Sequence, residues 1–151
     1  MKKIVFAMAV GIFGLIFANV SFAQPMMQWR GSGGWGGGSR YNMMYNANTV
    51  ETVKGEIVKI ERIMPMRGMS HGVHLMVKTS KETIDVHLGP AWYIENQDVK
   101  LKVGDKIEIK GSRITLQGKP VIIAAEVKKG DVTLKLRDER GFPMWAGWRR
   151  M

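Results

Sequence analysis

His74 and His87 are the residues on which chemistry can be placed first. Val73, Leu75 and Val77 alternate with His74, Met76 and Lys78, while Ile84, Val86 and Leu88 alternate with Asp85 and His87. Alternation at period two marks half-buried strands, and Ser80-Lys81 between the two runs reads as their turn. Both apolar stripes must face one core, and a slip of one residue would turn a whole stripe outward. Pairing Val77 with Ile84, Leu75 with Val86 and Val73 with Leu88 meets that condition and leaves a compact turn; slips of two residues also meet it and would make His74 and His87 diagonal neighbours, still in reach of a shared ion. The register with the compact turn sets His74 opposite His87 on the other face, an outer wall. Opposed side chains have Cβ atoms roughly 4.5–5.5 Å apart. Two neutral imidazoles at that spacing can share a late transition metal.

The adjoining loop supplies further donors. His71, Met69 and Met66 precede the first of these strands and could complete a coordination shell. Imidazole suits Zn, Cu, Fe and Ni, and thioether favours Cu(I); the 12 methionines keep copper in view. Copper, iron or zinc is therefore the cofactor class these residues point to, and an ordinary polar pair on a sheet stays open beside it. The chain has no cysteine. That excludes disulfides, thiolate zinc sites, iron–sulfur clusters and thioether-attached haem. Asp85 lies two residues from His87 on the same face, but no serine or cysteine nucleophile is evident near them. The glycines at 33–38 lack the flanking strand and helix of a phosphate loop. The expectation is a non-enzymatic protein.

The elements that must position these residues are almost all strands. Thr49 to Ile63 is rich in Val and Ile, and Gly55 within it suggests a bulge or bend. Gly89-Pro90 ends the third strand, and Ala91 to Gln97 reads as a short helix with Pro90 suited to its first turn. Asp105 to Leu116 is a long strand whose apolar phase switches around Gly111, which predicts a second bend. Val121 to Val127 and Val132 to Leu136 follow after turns at Gly118-Lys119-Pro120 and Lys129-Gly130-Asp131. The fold class expected is all-β: a small OB-like Greek-key barrel of five to six strands with one short helix between strands 3 and 4. An open sandwich is the alternative.

The chain has 151 residues, 17.0 kDa and a net charge of +10. Lys2 and Lys3, the apolar run Ile4 to Phe17 and Ser21-Phe22-Ala23 read as a signal peptide over 1–23, or as an uncleaved anchor. Either places the remainder in the periplasm or outside the cell. Residues 24–48, rich in Gly, Met and aromatics, read as a flexible linker, with a Met/aromatic segment that docks on another protein as the alternative. Residues 49–138 hold the barrel. Residues 139–151 form an aromatic, basic tail in which Trp145, Trp148, Arg149 and Arg150 are candidate contacts to a partner or a membrane surface. Their alternative is packing of Trp145, Trp148 and Phe142 across an open end of the barrel. Strand lysines and arginines alternate with acids, as in Glu108-Ile109-Lys110. That is a solvated surface, and it ranks nucleic acid or another anionic polymer below a periplasmic or membrane protein as partner.

One family resemblance spans much of the domain. Gly55-Glu56-Ile57-Val58, His74-Leu75-Met76-Val77-Lys78-Thr79, Val86-His87-Leu88-Gly89-Pro90-Ala91-Trp92-Tyr93, Gly104 to Ser112 and Leu136-Arg137-Asp138 to Trp148-Arg149-Arg150, within residues 50–150, resemble the domain shared by the magnetosome proteins MamS and MamX. The resemblance implies an accessory domain linked to iron handling and redox. MamX-type proteins carry Cys-x-x-Cys-His haem motifs, and this chain, without cysteine, departs from them, so haem-based electron transfer is not carried over.

Overall fold

The computed structural model describes residues 33–146; the expected leader, the first part of the linker, and Trp148, Arg149 and Arg150 lie outside the described residues. Six strands carry the fold: β1 (Val50–Ile63), β2 (Gly72–Lys78), β3 (Thr83–Pro90), β4 (Lys106–Leu116), β5 (Lys119–Lys129) and β6 (Val132–Lys135). A one-turn helix, α1 (Ala91–Ile94), separates β3 from β4 and follows Pro90, its extended N-cap. The expected helix to Gln97 is thus shorter.

The strands form a closed ring in the order β1-β2-β3-β5-β4, with β6 on the outer edge of β5. All ladders are antiparallel except β3 with β5, where Asp85, Val86 and His87 lie beside Val121, Ile122 and Ile123. This all-β ring is the expected OB-like order. β1 makes closure possible because it serves two neighbours. Val50 to Glu56 pair with β4, and Glu56 to Ile63 pair with β2 across a bulge between Ile57 and Lys59. An extra residue in one strand sharpens its bend. The bend expected at Gly111 is a bulge between Lys110 and Gly111. There the buried phase of β4 passes from Ile107 and Ile109 to Ser112.

Ile57, Leu75, Val77, Val86, Ile109 and Val127 fill the inside of the ring. A second apolar layer lies on the outside. Val121 to Ala125 are all buried, so both faces of β5 are covered. The cover is a strap, residues 33–48, together with the segment after Arg137. Trp35 and Tyr41 are each 1% exposed, and Trp145 is 3% exposed. This corrects the flexible-linker reading of residues 33–48. Composition concealed the packing because Trp35 and Tyr41 lie too far apart in a glycine-rich stretch to make a period.

Two glycines of the sheet admit the cover. A Cβ on Gly72 would come within 2.5 Å of the Trp35 ring, and one on Gly89 within 2.7 Å of the Trp145 ring. Trp35 Nε1 donates to the Ser70 carbonyl, and Trp145 Nε1 donates to the Trp35 carbonyl at 2.7 Å. Asn42 donates to the carbonyls of Gly37 and Gly141 and accepts from Arg137 Nε, tying strap to C-terminal segment. Trp145 is therefore part of the core, in line with the packing alternative for the tail, and is not an exposed docking residue, while Phe142 stays exposed. No helix among the described residues is long and apolar enough to cross a membrane.

Candidate metal centre

The β2–β3 ladder pairs Val77 with Ile84, Leu75 with Val86, and His74 with His87, the register that leaves the compact turn. The register shifts at the next residue, so that Val73 faces Gly89 and not Leu88. The imidazoles of His74 and His87 stack with centroids 3.7 Å apart and planes 12° from parallel. They do not lie on an open outer wall. His74 is 4% and His87 2% exposed, because the strap roofs that face.

A third donor joins them. Asp85 is two residues before His87 on the same face, and its Oδ2 lies 3.5 Å from His87 Nε2. One ligand atom from each of His74, Asp85 and His87 falls within 4.8 Å of the others. The Asp85 side chain is 32% exposed, so the cluster reaches solvent through its carboxylate. The i, i+2 spacing of Asp85 and His87 was the signal for this donor.

The loop residues expected to complete the shell do not join the cluster. His71 is exposed, and its carbonyl accepts from the Ala91 amide. Met69 is buried in the core, packed near Gly34, and Met66 packs against that core from the side. The Trp35 bond to Ser70 and the burial of Met69 anchor this loop to the strap. Their place is taken by Asp85.

Tyr41 holds His87 from the opposite side. Its hydroxyl lies 2.8 Å from His87 Nδ1, and the two rings lie nearly parallel at 5.9 Å. Burial pushes the Tyr41 phenol well above its ordinary range, opposed by Arg137, so it stays protonated. Arg137 is itself fully buried. Its Nη1 donates to the carbonyls of Leu88 and Ala124, and burial lowers it to about 10. With Tyr41 donating to Nδ1, His87 Nε2 carries hydrogen towards Asp85. An ion on Nε2 would select the other tautomer, with Nδ1–H donating to the Tyr41 oxygen.

His74 is the anomaly. Both of its ring nitrogens are buried without a hydrogen-bond partner. Burial, then the neighbouring His87, lowers it to about 4, against weaker pulls from Asp85 and Glu61. Burial pushes the Asp85 carboxyl up. The hydrogen bond from His87 and the charges of His87, His74 and Lys119 outweigh that and leave it below its usual range. At neutral pH the cluster thus offers a neutral imidazole with a free lone pair beside an ionised carboxylate. Such donors bind a divalent transition metal without first losing a proton.

Residues 49–134 match the MamS/MamX magnetosome protein family. The chain belongs to that family. The matched span covers β1 to most of β6 and contains all three donors, while the strap residue Tyr41 lies before it. No curated protein matches the chain.

One surface cleft has another character. It measures about 490 Å³ and is lined by Lys54, Lys78, Lys106 and Lys128 together with Glu56 and Glu108. No aromatic platform lines it, so it lacks the stacking that single-stranded nucleic acid uses.

Proposed function

We propose that this chain is an exported, non-enzymatic accessory protein of the MamS/MamX family that binds a transition-metal ion at His74, Asp85 and His87. The reading places it in the periplasm or tethered to the membrane, contributing to iron or redox handling with another protein. The observation that carries it is His74, whose two buried nitrogens have no partner although it is stacked on a second imidazole. A buried polar group left unsatisfied costs about 1–3 kcal/mol. A bound ion repays that cost by using the lone pair.

Donor chemistry narrows the ion. Two imidazoles and a carboxylate, with no thiolate, suit Fe(II), Zn(II) or Cu(II) better than Cu(I). Family membership supports iron among these. The test is titration calorimetry of the purified chain with each ion, repeated on His74→Ala, His87→Ala and Asp85→Asn. Binding that weakens in all three variants supports the site. Absence of binding in the parent, or affinity unchanged in all three, overturns it.

A second observation supports an assembly role alongside the metal. Val58, Ile60, Ile63 and Met64 are exposed along the second half of β1 and just beyond it. Apolar side chains grouped at one strand suit contact with another protein.

A further inference from the structure

The aromatic side chains of this domain are joined end to end. From the cluster, His74 stacks on His87 at 3.7 Å and His87 on Tyr41 at 5.9 Å. Tyr41 meets Trp35 edge-on at 5.2 Å, and Trp35 meets Trp145 at 6.1 Å. Trp145 lies 5.5 Å from Tyr93, which lies 6.5 Å from Trp92. Every ring as far as Tyr93 is buried, and Trp92 on α1 is half-buried. The rings come from β2, β3, the strap, the C-terminal segment and α1, so only the tertiary fold lines them up.

We infer that this file of rings is a one-electron relay between the metal cluster and the surface at Trp92. The inference rests on the metal reading, since the ion is the inner terminus. Indole and phenol are the aromatic side chains that lose an electron most readily, and contact between successive rings keeps each transfer short. With iron held by His74, Asp85 and His87, one electron would pass from Fe(II), leaving Fe(III), into the ring file. A one-electron oxidant of the metal-complex class, docked at Trp92, gains it.

No bond forms or breaks, and no proton moves. Trp35 Nε1–H and Trp145 Nε1–H are bonded to backbone carbonyls, which are too weakly basic to take a proton from an oxidised indole. Tyr41 acts as a bridge when the ion is bound, because His87 Nδ1 then carries hydrogen and cannot accept the phenol proton. The guanidinium of Arg137 lies 4.8 Å over the Trp145 ring. A cation there raises the cost of an electron hole on that ring, so Trp145 is the narrow point of the relay.

The test loads the purified chain with iron(II) anaerobically and oxidises it with flash-generated ruthenium(III) tris-bipyridyl, a complex that meets the site directly only past the Asp85 carboxylate, a route that is the same in parent and variants. The parent is expected to oxidise its iron in a fast phase. That phase should be lost in Trp145→Phe and in Trp35→Phe, with iron affinity and far-ultraviolet circular dichroism retained. Trp92→Phe, at the half-buried end, serves where a core variant does not fold. A fast phase that survives in Trp35→Phe and Trp92→Phe overturns the relay.

A parent that binds no iron overturns the metal reading instead, and the ring file is then tested in the metal-free chain. There, oxidation is expected to produce a neutral tyrosyl radical at Tyr41 by electron paramagnetic resonance, its proton passing along the 2.8 Å bond to His87. Absence of that signal in the parent, or its persistence in Trp35→Phe, overturns the relay independently of any metal.

Discussion

The imidazole of His74 lies face to face with that of His87, 3.7 Å away, yet only His87 has hydrogen-bond partners. Tyr41 and Asp85 hold one ring at both nitrogens, while the other is buried with two idle lone-pair or N–H positions. This asymmetry predicts opposite effects on stability and on binding.

Replacing His74 with leucine removes two buried unsatisfied nitrogens. The metal-free protein should gain about 1 kcal/mol or more of stability, the usual penalty of such groups being about 1–3 kcal/mol each. The same variant should lose metal binding. Urea unfolding alongside calorimetry checks both; a destabilised variant would show that His74 has protein partners after all.

Tyr41→Phe keeps the ring between Trp35 and His87 but deletes the hydroxyl. It should cost about 1–3 kcal/mol by leaving His87 Nδ1 buried and unpaired. Metal affinity should fall about 10- to 100-fold, as when the partner of a ligand histidine is removed. Nitrogen-15 spectra of His87 should show a changed tautomer ratio, which loss of packing alone would not produce.

Acid should unfold the protein through this site. His74 titrates at about 4 when folded, against about 6.5 when unfolded. Between those values the unfolded chain binds more protons, so stability is complete above the unfolded value and is lost as pH falls towards 4. Asp85, facing the same ring with a lowered folded pKa, acts in the same direction at still lower pH. His87, Glu61 and Lys119 are the other charged or titratable neighbours. The loss from His74 alone is up to about 3 kcal/mol at 1.36 kcal/mol per unit. Thermal melts from pH 7 to pH 4 measure it, and His74→Leu should flatten the profile.

Trp35→Ala should destabilise the domain by about 3–5 kcal/mol, the usual cost of emptying a buried aromatic site. Met43→Ala, three-quarters exposed on the same strap, should change stability by less than about 0.5 kcal/mol. Equal, small effects at both positions in denaturant titrations would return residues 33–48 to the status of a loose linker.

The strand ring and the histidine pairing were legible in the residues themselves. Alternation at period two assigns each side chain of a strand to a face, and two apolar stripes with one core between them allow few registers. That local rule placed His74 opposite His87 and located the bend at Gly111. What covers the outer face was not legible, because it depends on side chains dozens of residues away in sequence. Trp35, Tyr41, Asn42, Arg137 and Trp145 come from segments with no repeating pattern, and they meet only because Gly72 and Gly89 leave room on the sheet. The same cover turned an expected surface pair into a buried one and drew Met69 into the core. Strand periodicity is a property of the backbone, written locally in the chain; burial is a property of what lands on top, and only the tertiary structure decides that.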